Sequence, residues 1–446
     1  MRNQLLVLIT ILSITLGYSQ EQTYSFTLDE AIQYALENNY SAINADRDII
    51  DAQKQKWETI AGGLPQINGS IGYQNQLKQP VSLLPAEFLG GEAGDFIPII
   101  FSQPQSATAT ATLTQQIFDG SYIVGVQATK AFLSYSKNNK EKTELDVRKQ
   151  VVEAYGNVLL AEESVNILKK NKSTLEKNLY ETTKLYENGL GDEESVDQLQ
   201  ITLSSIENQL QNAIRLKEIT LQMLNVSLGL DLNTPTTLQE KLEDLTVSKM
   251  DISIIGTDFN INDNVDYKLA ENLNEQRFFE WKLARSRALP TLNAFVNYGS
   301  SAYSDSFDFF SGEQEWYDSS ILGFDLNIPI FSSLKRSAST QRAKIALEKA
   351  KTQLTEAEQQ IRLQLENAKN NYTLAIANYE TAKQNLMLSE RIENKNQIKY
   401  KEGLATSFEL RQAQTQLYTT QQEYLQSMVE VINKKTELEI ILNTKA

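Results

Sequence analysis

The feature that most limits the possible folds is an internal repeat, in which each segment of the first half has a counterpart in the second. LPQINGSIGY at 64–73 returns as LPTLNAFVNY at 289–298, and YENGL at 186–190 returns as YKEGL at 400–404. Each half has the same predicted order: helix, strand, loop, strand, very long helix, turn, helix. Two copies of about 215 residues predict a duplicated fold, which differs from the short periods of solenoid proteins.

The repeat divides the chain into a signal peptide at 1–19, a first structural repeat at 20–230, an equatorial linker at 231–263 and a second structural repeat at 264–446. Strands are predicted at 64–77, 106–118, 290–303 and 318–331, and helix-to-helix turns at 189–191 and 403–405. Pro235, Gly256 and clusters of polar residues predict an irregular linker. The connection from 78 to 105 is long and rich in proline and glycine, so it is expected to be a long loop rather than a tight turn.

The four strand segments alternate apolar and polar side chains, which is the pattern of a strand with one apolar face. Leu322, Phe324 and Leu326 alternate with Gly323 and Asp325. Segments of about ten residues with this pattern are typical of transmembrane β-barrels, although a hairpin packed on a soluble core gives the same pattern. Because four strands cannot close a barrel, the membrane interpretation requires several copies of the chain.

Two intervals without proline, 118–189 and 331–403, predict very long helices. At 1.5 Å per residue, about 70 residues would reach roughly 105 Å. Apolar residues recur at steps of three, four or seven, as at Leu365, Ala368 and Tyr372, which predicts that one stripe is buried against a partner helix. In the first half, a single helix over 28–60 and the helix after the first turn together match this length. They are therefore expected to stack end to end, antiparallel to the long helix.

The first residues have the pattern of an export signal. Arg2 precedes an apolar run from Leu5 to Leu16, and small or polar residues follow it. This run is shorter than the about 20 residues that a membrane-spanning helix needs. Since the chain has no cysteine, lipidation at a new N-terminus is not expected. The pattern predicts an exported protein without a lipid anchor.

Composition excludes several functional classes. The 446-residue chain has no histidine and no cysteine, so it lacks the usual general base near neutral pH, a thiol nucleophile and the common zinc, copper and haem ligands. Its net charge of -15 argues against nucleic-acid binding. We therefore expect no catalytic residues, no cofactor and no metal site. A soluble hydrolase that uses two of the 57 Asp and Glu residues is the enzyme alternative.

In this order, the elements resemble the TolC-like outer-membrane efflux proteins. The resemblance rests on FTLDEAIQYALENN at 26–39, the two Leu-Pro strand starts, IPIF at 328–331 and the duplicated Tyr-x-x-Gly-Leu, and it covers essentially the whole chain after the signal peptide. It implies a mainly α fold with a transmembrane β-barrel. In that family three copies contribute four strands each to a 12-stranded barrel, which continues into a periplasmic tunnel of long antiparallel coiled-coil helices.

The same resemblance implies a passive exit duct in the outer membrane that extends into the periplasm. Such a duct is the channel-tunnel component of a tripartite efflux or type I secretion system. The implied partners are two further copies in a homotrimer, a periplasmic adaptor (membrane fusion) protein, an inner-membrane RND or ABC-type transporter, and outer membrane lipid. The alternative is a secreted coiled-coil tether or adhesin, which would explain the helices and the signal but not the paired hairpins.

The resemblance also implies an adaptor-docking role for the two turns, at Tyr186, Gly189, Leu190, Tyr400, Gly403 and Leu404. From the residues alone, a glycine after a long helix permits a positive φ and ends the helix, so simple C-caps are the alternative. Glu409 matches a family position where acidic side chains constrict the pore at the tip. A ring of three such carboxylates would favour cations and raise its own pKa values by repulsion. Ala405 stands where some members carry a basic residue that helps to close the tip.

Overall fold

The computed structural model describes residues 23–444, so the predicted signal peptide at 1–19 lies outside the described residues. The helices are α1 Leu28–Asn38, α2 Tyr40–Ala61, α3 Gly120–Glu187, α4 Glu193–Leu228, α5 Leu242–Lys249, α6 Val265–Ser286, α7 Lys335–Lys401 and α8 Ser407–Leu442. The strands are β1 Tyr24–Phe26, β2 Gln66–Asn75, β3 Ser82–Pro85, β4 Phe96–Ile99, β5 Gln105–Asp119, β6 Thr236–Leu238, β7 Thr291–Ser304 and β8 Tyr317–Asn327. The prediction of a mainly helical protein is confirmed. None of the helices within 23–444 is both long and apolar enough to cross a membrane.

The described chain forms two compact units, and each unit collects segments from both predicted repeats. The helical unit contains 23–50, 135–271 and 353–444, and the sheet unit contains 51–134 and 272–352. Helices α2, α3, α6 and α7 contribute residues to both units.

The sheet unit contains a four-stranded antiparallel sheet in the order β2-β5-β7-β8. Residues paired directly across antiparallel strands share a face, and one row of such pairs runs through Ile67, Leu113, Val296 and Leu322. The opposite face is polar: the hydroxyls of Ser70 and Thr110 lie 2.7 Å apart, and Asn297 Nδ2 donates to Thr112 Oγ1 at 2.8 Å. The alternation therefore sorts the sheet into an apolar and a polar face.

The apolar face of this sheet is largely exposed in the single chain. Ile71 is 90% exposed, and Leu322 and Phe324 are each 67% exposed. Strands β2 and β8 each pair on one side only within the described residues. A protein surface rarely leaves so many large apolar side chains in water without a partner.

The predicted long loop between β2 and β5 contains a small hairpin. Strands β3 and β4 pair in antiparallel register, with Ser82 opposite Ile99 and Pro85 opposite Phe96. Gly90, with φ +82°, ends the short 3₁₀ turn that follows β3. The prolines and glycines thus separate short elements from one another.

Apolar stripes on the helices form the core of the helical unit. The side chains of Tyr155, Tyr372 and Tyr379 are almost completely buried in the main cluster. A second cluster packs Leu175 of α3 against residues of α4 spaced by three or four, which are Leu199, Leu203, Ile206 and Leu210. The spacing that predicted a buried stripe therefore forms one, as antiparallel coiled-coil packing requires.

The prediction of one continuous helix over 28–60 is wrong, because Asn39 separates α1 from α2. The backbone of Asn39 is extended, with ψ 136°, and its side chain is buried. Its Nδ2 donates to the carbonyl of Ser227 at 2.8 Å, and its Oδ1 accepts from the backbone N–H of Ser41 at 2.8 Å. A buried amide with these partners holds the chain out of the helical conformation.

Residues 231–263 are more ordered than their composition indicates. Strand β6 pairs in parallel with β1, and α5 follows it. The hydroxyl of Tyr155 lies 3.1 Å from both the carbonyl oxygen of Phe26 and Oε2 of Glu240, and the backbone N–H of Leu28 donates to the same Oε2 at 2.7 Å. These contacts form a clasp, defined as Phe26, Leu28, Tyr155 and Glu240, that fixes the segment to α1 and α3.

Candidate docking turns and gate residue

The turn between α3 and α4 is built by a glycine with a left-handed backbone. Gly189 has φ +73°, its N–H donates to the carbonyl of Tyr186 at 2.9 Å, and the N–H of Leu190 donates to the carbonyl of Leu185 at 2.9 Å. This pair of bonds is a Schellman motif, which ends the helix and satisfies its last carbonyls. Asp192 then starts α4, and its Oδ1 accepts from the backbone N–H of Ser195 at 2.7 Å.

The turn between α7 and α8 repeats this geometry. Gly403 has φ +69°, its N–H donates to the carbonyl of Tyr400 at 3.0 Å, and the N–H of Leu404 donates to the carbonyl of Lys399 at 2.8 Å. Positive φ strains a residue that has a Cβ, so glycine is needed at this position. The two turns therefore share a backbone conformation as well as a sequence motif.

Each turn presents a leucine to solvent. Leu190 is 77% exposed and Leu404 is 78% exposed. Within residues 23–444 both side chains remain largely uncovered, so neither leucine contributes much to the core. An exposed leucine in a rigid turn can bury apolar surface against another protein.

The two tyrosines of the motif differ in their surroundings. The hydroxyl of Tyr400 lies 3.0 Å from Thr182 Oγ1 on α3, whereas Tyr186 is 42% exposed. Ser407 Oγ also donates to Gln198 Oε1 on α4 at 3.3 Å. These contacts bring the two turns side by side. A cleft of about 480 Å³ opens beside them, between the last turns of α3 and Tyr400.

Glu409 takes part in a capping box at the start of α8. The backbone N–H of Thr406 donates to Glu409 Oε2 at 2.8 Å, and Thr406 Oγ1 accepts from the backbone N–H of Glu409 at 3.2 Å. These bonds from Thr406, assisted by the charge of Lys399, hold the pKa of the exposed Glu409 carboxyl below its usual range. In the single chain, Glu409 therefore stabilises a helix start.

Sequence reasoning missed this capping role, although its signal was present. Thr406 followed three residues later by Glu409 is the Thr-x-x-Glu pattern of a capping box. The structure also assigns Asp192 as the N-cap of α4, with Glu193 and Glu194 in the first turn, where negative charge favours the helix dipole. Among residues 23–444, no group of three or more acidic side chains could hold a metal ion.

Comparison with known proteins gives a consistent result. A family model described as outer membrane efflux protein matches residues 31–230 and 268–444. No curated protein sequence matches the chain. Several solved structures share the fold at low sequence identity.

Three of these structures illustrate the likeness. The outer membrane protein VceC of Vibrio cholerae is 16% identical, with 93% of this chain and 95% of that chain covered and a TM-score of 0.70. CusC, described in terms of transmembrane channel formation, is 15% identical, with 96% and 95% covered and a TM-score of 0.72. The CmeC outer membrane channel of Campylobacter jejuni is 18% identical, with 93% and 85% covered and a TM-score of 0.71.

Proposed function

Because the chain belongs to the outer membrane efflux protein family, we propose that it is the passive exit duct of a tripartite efflux or type I secretion system. Proteins of this family are outer-membrane channels that span into the periplasm, and they are channels rather than enzymes. In the proposed system a periplasmic adaptor docks on the duct, and an inner-membrane RND or ABC-type transporter supplies the substrate and the energy. No observation favours the tether or adhesin alternative.

The observation that carries this proposal is the sheet. It has one exposed apolar face, one polar face lined with hydroxyls and amides, and two edge strands, β2 and β8, that lack a neighbour on one side within the described residues. Unpaired strand edges and exposed apolar surface are both costly in isolation. Three copies joined edge to edge would remove both costs, because the edges would pair and the apolar face would meet lipid in a 12-stranded barrel.

The proposed docking sites are the two turns, at Tyr186, Gly189, Leu190, Tyr400, Gly403 and Leu404. Support comes from the repeated Schellman geometry and from the two exposed leucines. Capping and docking are compatible, because the glycine fixes the turn and the leucine remains available to a partner. In a trimer, six such turns would surround one mouth. This arrangement also fits the proposed duplication into repeats 20–230 and 264–446, joined by 231–263.

The proposed gate residue is Glu409, which a trimer would place in a ring of three. The capping box lowers the pKa of its carboxyl, whereas repulsion within a ring would raise it, so the two roles have opposite signatures. Glu409→Gln removes the charge but keeps an amide oxygen that can accept from Thr406. Thr406→Ala is the matched control, because it removes the hydroxyl of the cap and keeps the charge. Loss of cation selectivity in Glu409→Gln but not in Thr406→Ala would support the ring, and unchanged selectivity in Glu409→Gln would eliminate it.

The duct itself is tested by reconstitution. Purified full-length protein in a planar bilayer is expected to give stepwise ion conductance, and the native protein is expected to fractionate with the outer membrane as detergent-resistant trimers. A soluble, elongated particle without conductance would instead support the tether. Co-purification of the native complex would identify the adaptor and the transporter.

A further inference from the structure

The charge of the sheet unit changes abruptly where the sheet meets its helices. Residues 289–331, which contain β7, β8 and their loop, have six acidic and no basic side chains. The flanking segments are the reverse: residues 281–288 have three basic and no acidic side chains, and residues 332–344 have four basic and no acidic side chains. The two flanking segments together carry seven basic side chains in a chain of net charge -15.

The fold brings these two basic segments to the same end of the sheet. The carbonyl of Ala284 on α6 accepts from Thr340 Oγ1 on α7 at 3.4 Å. Directly beyond these helix ends, β7 and β8 pair through Thr291 and Asn327. The end of α6 and the start of α7 therefore lie next to each other, at the end of the sheet where β7 begins and β8 ends.

Exposed apolar side chains lie within the same area. The link from β8 to α7 leaves Phe331 83% exposed and Leu334 75% exposed. Leu334 has φ +64°, a conformation that is strained for a bulky residue and that is not offset by any burial of its side chain. We define the junction surface as Arg285, Arg287, Lys335 and Arg336 together with Phe331 and Leu334.

The basic residues of this surface lack carboxylate partners. Arg285, Arg287 and Lys335 are exposed, and none of the four basic side chains forms an ion pair within the described residues. Arg336 Nη2 donates to the carbonyl of Ile330 at 3.2 Å, which holds the guanidinium beside the apolar link. Lys335 and Arg336 open α7, where positive charge opposes the helix dipole, so helix stability does not explain them.

We propose that the junction surface binds anionic phospholipid of the membrane leaflet on the helix side of the sheet. The inference rests on the proposed function, because it requires the sheet to span the membrane. In that position Phe331 and Leu334 would enter the boundary between headgroups and acyl chains, and the four cations would lie at the level of the phosphates. The arrangement is an apolar anchor with a basic rim, and charge complementarity identifies its partner as an anionic lipid.

A second copy of the chain is a poorer partner for this surface. The opposite edge strand β2 follows residues 51–65, whose Asp51 and Glu58 are balanced by Lys54 and Lys56. That edge therefore offers no net negative charge to four cations. A lipid surface offers both the negative charge and an apolar interior.

The native tryptophans allow a direct test. Trp281 lies on α6, with the guanidinium of Arg285 5.9 Å from its ring centre. In the full-length variant Trp57→Phe/Trp316→Phe, Trp281 is the only tryptophan left of the three in the chain. This protein is reconstituted in equal parts of phosphatidylglycerol and phosphatidylcholine, with acyl chains brominated near the headgroup in only one lipid at a time. Bromine quenches the fluorescence of a tryptophan that it contacts, so the two preparations report which lipid lies beside Trp281.

We expect brominated phosphatidylglycerol to be enriched beside Trp281 about fivefold or more over phosphatidylcholine, since one basic residue near an anionic surface contributes about that factor. The enrichment should disappear in Arg285→Gln/Arg287→Gln/Lys335→Gln/Arg336→Gln and weaken at 1 M salt, where the Debye length is about 3 Å. The control replaces four exposed lysines of the helical unit, Lys169, Lys170, Lys177 and Lys395, by Gln, and should leave the enrichment unchanged.

Two results would overturn the proposal. Equal quenching by the two lipids in the parent protein would show that the surface has no preference for negative charge. Absence of quenching by either lipid would show that lipid does not reach this part of the surface. The ion conductance of the same preparation separates these failures from failure of the duct itself, and the salt series keeps the test valid if the fourfold variant does not fold.

Discussion

Replacing both turn leucines by alanine should weaken adaptor binding without destabilising the chain. The change Leu190→Ala/Leu404→Ala removes three carbons from each of two side chains that are 77% and 78% exposed. At about 0.8 kcal/mol per buried carbon, and counting only the exposed fraction, full coverage by an adaptor would contribute about 2 kcal/mol per turn. This corresponds to a rise of about 30-fold in Kd for each turn that is fully covered.

The free energy of unfolding should change by less than about 0.5 kcal/mol, because neither side chain packs in the core. The assay is titration of the purified protein with the adaptor that the proposed co-purification identifies, together with denaturant unfolding of each variant. The matched control is Leu77→Ala, which truncates a 95% exposed leucine in the link between β2 and β3. Unchanged adaptor affinity in the double variant would refute docking through the leucines, and a large loss of stability would refute their description as unpacked.

Tyr155→Phe should lower the free energy of unfolding by about 2 kcal/mol, because it removes a buried hydroxyl beside the Glu240 carboxylate; Tyr180→Phe, at a 65% exposed position, should leave it unchanged. Gly403→Ala should lower the free energy of unfolding by about 1 to 2 kcal/mol, because φ is +69° at this position. A variant as stable as the parent protein would show that the turn does not require glycine. If capping dominates the pKa of Glu409, acid titration of cation selectivity should have its midpoint below the usual range of glutamate. The ionised, capped form of Glu409 would then be present above that midpoint and would be lost as pH falls through it. A midpoint above that range would instead indicate repulsion within a ring.

The regular elements could be predicted because their patterns are local. Alternation at Leu322, Phe324 and Leu326 places all three on one face of β8, and the spacing of Leu365, Ala368 and Tyr372 forms a buried stripe on α7. In both cases a periodic pattern within one segment determines which side chains are buried together.

The features that escaped prediction depend on partners far away in the chain. The helix break at Asn39 requires the carbonyl of Ser227, which is 188 residues away. Strand β1 has only three residues, too few for a recognisable alternation, and it pairs with β6 more than 200 residues later. The capping box of Glu409 is different, because its sequence signal lies within the four residues 406–409. It was missed because the family resemblance implied a role in the pore for the same residue.

The central claim, that copies of the chain close a barrel through the edges of the sheet, is tested most directly by cross-linking those edges. Ser70→Cys on β2 is combined with Ser319→Cys or Ile321→Cys on β8, all of which lie on the polar face. Within one chain these edges are separated by three strand spacings, about 14 Å, which is too far for a disulfide. Since the chain has no native cysteine, each single variant serves as a control for its pair. Oxidation of at least one double variant in membranes should give covalent trimers and leave the single variants monomeric, whereas monomers from every pair would contradict the account.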